Sequence, residues 1–424
     1  MVKSFIDVCL QNKEKTAFKY IKNNKIVNIS FEALLFDIFK LCKLFEENNL
    51  KQNDKVVLFI LPSYELYILM LAGIMYGLNI VVIDDFRDRN KVKTIVNSVN
   101  ANYVLVNNKT RILCKYYFGK SKSVNIEKYY KYDSSEYISN VNEHSVVLTT
   151  FTSGTTGTPK FIERSLSDLQ KQVELLYNNF NINNDDVIIC MLPIYVLFSL
   201  FNGNTVCLVK KLSNKNIEIL KGNVVLGKIA NVLTIKEKII GIDKLYLGGA
   251  YIYKKEVEKL LSVFCDSEIN YIYGASEGVV IGINTLNDYL INKRFKIVKG
   301  INVCLDNIVN SVGEIVISGN SVLSSIDYHK TGDIGYIENE YIYIYGRNKY
   351  SSLDNGFYNY LEDEKVREEH KIDKAYTIWY QNKRVVFYKG KCNNKNFINV
   401  RKFPYDLKHK TKIDYNKLID KYLK

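Results

Sequence analysis

The chain alternates short apolar runs with stretches of helical length. Residues 54–60, DKVVLFI, form a continuous apolar run of the kind a strand buried on both faces requires. Residues 64–76 have helical length, 79–84 (NIVVID) are a second run, 87–99 a second helix, and 102–107 (NYVLVN) a third run. Strands alternating with helices at this spacing predict a parallel sheet. The pattern restarts at 146–151 (VVLTTF), passes through a loop rich in Gly, Ser and Thr, and enters a helix in which Leu166, Leu169, Val173, Leu176 and Phe180 repeat at helical spacing. Residues 244–250 (KLYLGGA), a helix over 254–265, and 270–278 (NYIYGASEG) make a further strand, helix, strand and loop.

Beyond about residue 300 the texture changes. Residues 313–319 (GEIVISG) and 340–346 (EYIYIYG) are short strands with no helix between them, the mark of a β-rich subdomain. The tail after Arg347 contains a hairpin (AYTIWY, QNK, RVVFYK) and an amphipathic helix over 414–423, so a small α+β domain of its own is expected. The fold class is α/β: a large N-terminal domain of α/β subdomains plus the β-rich subdomain, followed by the small C-terminal one.

At 424 residues the chain is too long for one ordinary core. With 47% hydrophobic and 25% charged residues and only 4 Pro, a disordered or collagenous chain is excluded. The formal net charge of +14 could signal an anionic partner. It is carried by Lys spread along the whole chain, without a basic block interleaved with aromatics, so no nucleic-acid partner is expected. The eight Cys contain no CxxC pair in a chain with only four His, which argues against a zinc site or a disulfide framework and fits a reducing cytoplasm. The first residues have no signal-peptide core, and Pro62, Ser63, Glu65, Gly73, Gly77 and Asn79 interrupt the most apolar region, so no transmembrane segment is expected.

The chemistry concentrates in loops at strand ends. Residues 151–161, FTSGTTGTPKF, follow a buried strand directly. Their hydroxyls, glycine backbone N–H groups and Lys160 suit one anion, and the density of such donors points to phosphate. The spacing is not that of a Walker A loop, because Lys160 follows a proline and is followed by Phe161 rather than Ser or Thr. An ordinary polar turn is the rival explanation.

SGTTGTPK resembles the phosphate-binding signature of the AMP-forming adenylating enzymes, the superfamily of acyl-CoA synthetases, peptide-synthetase adenylation domains and luciferases. Further segments follow in the family's order: GGA at 248–250, YGASE at 273–277, TGD at 331–333 and GR at 346–347. The resemblance implies ATP and Mg²⁺ as cofactors. It assigns Thr152, Ser153, Gly154, Thr155, Thr156, Gly157 and Lys160 to the phosphates, and Gly249, Ala250, Tyr273, Gly274, Ala275 and Ser276 to the strand-end turns around adenine and the α-phosphate. Tyr273 would stack on the base, Glu277 would be the magnesium ligand, and Asp333 with Arg347 would hold the ribose, two acceptors beside a fork of donors. FPYDLKHKTKIDYNKL at 403–418 resembles the family's C-terminal lysine motif and aligns Lys412 with the lysine that bridges ribose and carboxylate. The implied domains are an adenylate-forming domain over 1–346 and a shortened lid over 347–424.

MLPIYVLFSLFNG (191–203), FPYDLKHKTKI and HKTGDIGY resemble segments of the fatty-acid ligase-like proteins and the β-lactone synthetases. Tyr195 and Phe198 are the expected acyl-pocket residues, with ordinary core as the alternative. Departures from the family are Phe161 after the loop lysine, Leu166 where many members carry histidine, Tyr350 at the hinge, and the short tail; they bear on thioester formation more than on adenylation. The expected activity is ATP-dependent, AMP-forming activation of a small-molecule carboxylic acid, with an apolar acyl or aryl acid favoured over an amino acid. The acyl group would pass to coenzyme A or a carrier-protein thiol. A β-lactone synthetase acting on a 3-hydroxy acid and a nucleotide-binding protein without catalysis are the alternatives.

Overall fold

The computed structural model describes residues 1–83, 86, 89–119, 122–152, 160–209, 211–319, 322–405 and 412–424. The chain divides into two compact units, one formed by residues 1–211 and 215–226, the other by 212–214 and 227–424.

The first unit is the α/β part. One of its sheets runs in the order Lys122–Asn125, Tyr103–Val106, Lys55–Phe59, Asn79–Val81, Val146–Thr152 and Lys160–Ser165. All neighbours in it are parallel except the last pair, which is antiparallel. The expected apolar runs are its central strands, and their burial on both faces explains the absence of polar alternation. The helix Tyr64–Tyr76 is buried almost all round, which its uniformly apolar sequence requires, and stops at Gly77 with φ +88°. In a second set of strands, Val187–Cys190 and Thr205–Leu208 pair in parallel, Thr16–Lys22 joins in parallel, and Lys25–Ser30 closes the edge antiparallel.

The expected passage from loop to helix after residue 160 contains a strand instead, Lys160–Ser165, paired from Thr152↔Lys160 to Val146↔Ser165. Its polar, half-exposed sequence KFIERS hides it from a search for apolar runs. The helix Leu166–Asn179 then starts at a capping box in which Ser165 and Asp168 satisfy each other's backbone N–H groups.

In the second unit the strand order is Asn302–Val309, Val312–Ser318, His329–Glu338, Tyr341–Arg347, Arg294–Ile297, Gly282–Thr285, Glu268–Tyr273 and Lys244–Gly248. Every pairing is antiparallel except the last, which is parallel. The β-rich texture is therefore correct and more extensive than the two runs that announced it. The tail forms a three-stranded sheet, Lys374–Tyr380, Lys383–Lys389 and Ile398–Asn399. Its hairpin turns at Gln381 and Asn382, both with positive φ, as a two-residue hairpin loop demands. The helix Tyr415–Tyr422 packs into a cluster with Ile378, Phe387, Val400 and Phe403, which also takes in Tyr253. Among the described residues no helix is long and apolar enough to cross a membrane.

Candidate active site

The strand Glu268–Tyr273 delivers Tyr273 to its C-terminal end, and the chain then doubles back sharply. A Cβ on Gly274 would lie 2.0 Å from the carbonyl oxygen of Val279, so only glycine fits. Ile281 N–H donates to Tyr273 O at 2.8 Å, and Val279, a β-branched residue, sits at φ +58°, a conformation costing about 1–3 kcal/mol that the surrounding bonds enforce. This pinched loop presents Ala275 and an exposed Ser276, and buries Glu277. On the neighbouring parallel strand Lys244–Gly248 the turn continues through Gly249 at φ +95°, and Ala250 O accepts a hydrogen bond from Tyr271 Oη at 2.8 Å.

Asp333 and Arg347 face each other as a registered pair on antiparallel strands. Arg347 Nη1 donates to Asp333 Oδ1 at 2.8 Å, and Tyr273 Oη donates to Asp333 Oδ2 at 3.1 Å. Thr331 completes the set: its hydroxyl donates to Ile315 O at 3.0 Å and accepts from Asp333 N–H at 3.1 Å. The Asp333 carboxylate holds the Arg347 guanidinium above its ordinary value. Burial, then Asp333, pushes the Tyr273 phenol well up, so it stays a donor at neutral pH.

A second cluster of the same residue types lies where the tail helix Asn359–Glu369 meets the start of the helix Lys254–Val263. Asp363 is fully buried; its Oδ2 accepts from Tyr253 Oη at 2.6 Å, and its Oδ1 accepts from the Thr377 N–H and, at 2.8 Å, the Thr377 hydroxyl. Arg367 lies with its guanidinium 3.5 Å from the centre of the Tyr253 ring and 5.0 Å from that of Tyr376. Burial pushes the Asp363 carboxyl up to about 7, against the pull of Arg367 and of these hydrogen bonds. Asn359, also fully buried, accepts from Arg347 N–H at 2.7 Å and donates to Tyr415 Oη at 3.3 Å, tying the Asp333 strand pair to the last helix.

The remaining expected residues fall as follows. Ser153, Gly154, Thr155, Thr156 and Gly157 lie outside the described residues, between Thr152, which ends one strand, and Lys160, which opens the next and is exposed. Lys412 is exposed and directly precedes Ile413, a buried residue bridged to Tyr405. Tyr195 and Phe198 are buried on the helix Pro193–Phe201, with ring centres 6.0 and 5.8 Å from that of Phe180.

Among the described residues no group of three or more His, Cys, Asp or Glu could hold a metal ion. Magnesium binds through one or two carboxylates plus substrate phosphates, and the Glu277 carboxylate is a hard oxygen donor of the kind it takes. His329 Nε2 lies 3.4 Å from Glu277 Oε2. The sequence alone assigns no role to His329, Thr331 or Asn359. Thr331 lies inside the TGD segment and was open to discovery there, whereas Asn359 is one asparagine among many with no local signal.

The family model described as "AMP-binding enzyme" matches residues 5–326. No curated protein sequence matches the chain. Among solved structures, ATP-bound MatB from Rhodopseudomonas palustris superposes with a TM-score of 0.84 at 16% identity, over 99% of each chain. O-succinylbenzoate coenzyme A synthetase from Bacillus subtilis in complex with AMP gives a TM-score of 0.82 at 16% identity, over 98% of this chain and 97% of that one. The same enzyme with ATP and magnesium ion gives 0.79 at 16% identity, over 95% and 96%. These likenesses are likenesses of fold.

Proposed function

The chain belongs to the family of AMP-binding enzymes, the AMP-forming adenylating superfamily, and we propose that it joins a carboxylic acid to AMP at the expense of ATP and then hands the acyl group to a thiol. In the first half-reaction a substrate carboxylate oxygen attacks the α-phosphorus of ATP. The bond to the bridging β-phosphate oxygen breaks and pyrophosphate leaves. A thiol sulfur then attacks the acyl carbon, and AMP departs with the electron pair of the broken C–O bond. Coenzyme A is the expected thiol, with a carrier-protein thiol as the variant.

The observation that carries this reading is the Asp333 carboxylate, held at one oxygen by Arg347 and at the other by Tyr273. An acceptor pair beside an aromatic ring suits the vicinal hydroxyls and base of a nucleoside. Lys160, Thr152 and the loop from Ser153 to Gly157 are assigned to the phosphates, Ser276 to the α-phosphate, and Lys412 to the charge that develops as pyrophosphate leaves. Glu277 would hold magnesium, which when bound neutralises phosphate charge. Residues 347–424 are assigned the part of a lid. The segment 191–203 carries no charged side chain to pair a substrate ammonium group, which favours an apolar acyl or aryl acid, with Tyr195 and Phe198 assigned to its pocket.

The test is pyrophosphate release across a panel of fatty, aryl, dicarboxylic and amino acids, each with and without coenzyme A. Release that rises with acyl chain length is expected, and turnover confined to amino acids would overturn the choice of acid. Lys412→Ala should abolish release while ATP still binds, because a group acting on transition-state charge affects rate more than ground-state affinity. Near-normal adenylation by that variant would remove the lysine from its role.

A further inference from the structure

The hydrogen-bond network around Asp333 leaves the Tyr273 hydroxyl only one part to play. The Thr331 hydroxyl proton is committed to Ile315 O, 3.0 Å away, so Thr331 cannot donate to Tyr273. The single phenolic proton of Tyr273 is therefore the donor, lying between Asp333 Oδ2 at 3.1 Å and Thr331 Oγ1 at 3.3 Å. An ionised carboxylate offers two acceptor sites on each oxygen. Among the described residues, Arg347 Nη1 takes one site on Oδ1 and Tyr273 takes one on Oδ2, so each oxygen keeps one further site. Two separate anchors fix the plane of the carboxylate, whereas Arg347 alone would act as a pivot about which it could turn. The Tyr273 ring is placed independently of its hydroxyl, packed with its centre 5.7 Å from that of Phe295.

We propose that the Tyr273 hydroxyl is a positioning group for Asp333: it sets the carboxylate plane so that both oxygens meet the 2′- and 3′-hydroxyls of a ribonucleotide, and thereby couples recognition of the sugar to the residue that meets the base. The proposal rests on the reading that Asp333 holds the ribose. It goes beyond stacking, which needs only the ring. The consequence is a preference for ATP over 2′-deoxy-ATP that depends on a phenol oxygen lying on a different strand from the carboxylate.

The experiment is calorimetric titration of the full chain with ATP, 2′-deoxy-ATP and 3′-deoxy-ATP, in the wild type and in the Tyr273→Phe, Tyr273→Leu and Asp333→Asn variants. Tyr273→Phe keeps the ring against Phe295 and should weaken ATP about tenfold, the scale of a hydrogen bond to a charged group. It should leave 2′-deoxy-ATP within about twofold, so that the preference for ribose shrinks accordingly. Tyr273→Leu, which also removes the ring, should add a loss common to all three nucleotides. If Tyr273→Phe binds every nucleotide like the wild type, or weakens all of them equally, the proposal is overturned. Asp333→Asn separates the two levels of the argument. If it erases the ribose preference while Tyr273→Phe does not, the positioning role alone fails. If it leaves the preference intact, the ribose assignment fails and the positioning role falls with it.

Discussion

Two Tyr–Asp–Arg clusters in the second unit use the same three side chains to opposite ends. Around Asp333, the arginine donates directly to the carboxylate and the tyrosine takes the other oxygen. Around Asp363, the carboxylate takes bonds from Tyr253 and from both donors of Thr377, while Arg367 stacks on aromatic rings. Arg367 Nη2 has no hydrogen-bond partner among the described residues. Asp333 keeps 8% of its surface and Asp363 none. The difference teaches that residue type does not make a binding site. The two carboxylates differ in exposure and in how far their own chain fills them: Asp333 takes two side-chain hydrogen bonds and stays partly open, whereas Asp363 takes three hydrogen bonds and is closed to solvent as a structural clamp.

The strongest way to break this comparison is Asp363→Ala. It would leave the Tyr253 hydroxyl and both Thr377 donors buried without their acceptor, and should cost about 3–5 kcal/mol in chemical denaturation. If stability instead held and ATP affinity fell, the two clusters would have exchanged roles. Asp333→Ala should weaken ATP binding by about 1.5–3 kcal/mol in a variant that still folds. Unchanged affinity would make Asp333 as structural as its counterpart.

The gentlest test uses pH. Burial raises the Asp363 carboxyl in the folded state to about 7, well above the usual carboxylate range. The protonated form is therefore favoured by folding, and its stability contribution is fully present below about pH 4 and is lost as pH rises through about 7. Stability should fall across that interval by at most about 1.4 kcal/mol per pH unit from this group, and Asp363→Asn should flatten that part of the profile. A variant with an unchanged slope would locate the titration elsewhere.

Those strands were legible that are buried on both faces, such as Lys55–Phe59 and Tyr103–Val106, because burial demands an unbroken apolar run. Half-exposed strands of polar sequence, such as Lys160–Ser165, were not. His329–Glu338 reads HKTGDIGYIE, where the motif that points to Asp333 also disguises the strand that carries it. The residues Tyr273, Asp333 and Arg347 could be picked out one by one, but the 60 positions separating the first two give no sign that they bond. That bond comes from sheet topology: Tyr341–Arg347 lies between His329–Glu338 and Arg294–Ile297, an order no local pattern encodes. Asn359 was beyond reach for a related reason, since its importance lies in total burial between Arg347 and Tyr415, which only packing decides.

The pinched loop after Tyr273 has one more consequence. Its path is drawn by the main chain: Gly274 against the Val279 carbonyl, Gly278 N–H on Ala275 O at 3.3 Å, Ile281 N–H on Tyr273 O at 2.8 Å. Each of these three constraints is a main-chain one and asks for no particular side chain at 275 or 276. Such a loop works as a fixed socket with interchangeable fittings, in which an evolving lineage can trade one small side chain for another at the rim without redrawing the backbone beneath it. The serine at 276, exposed at that rim, is one such fitting, and it places a hydroxyl there.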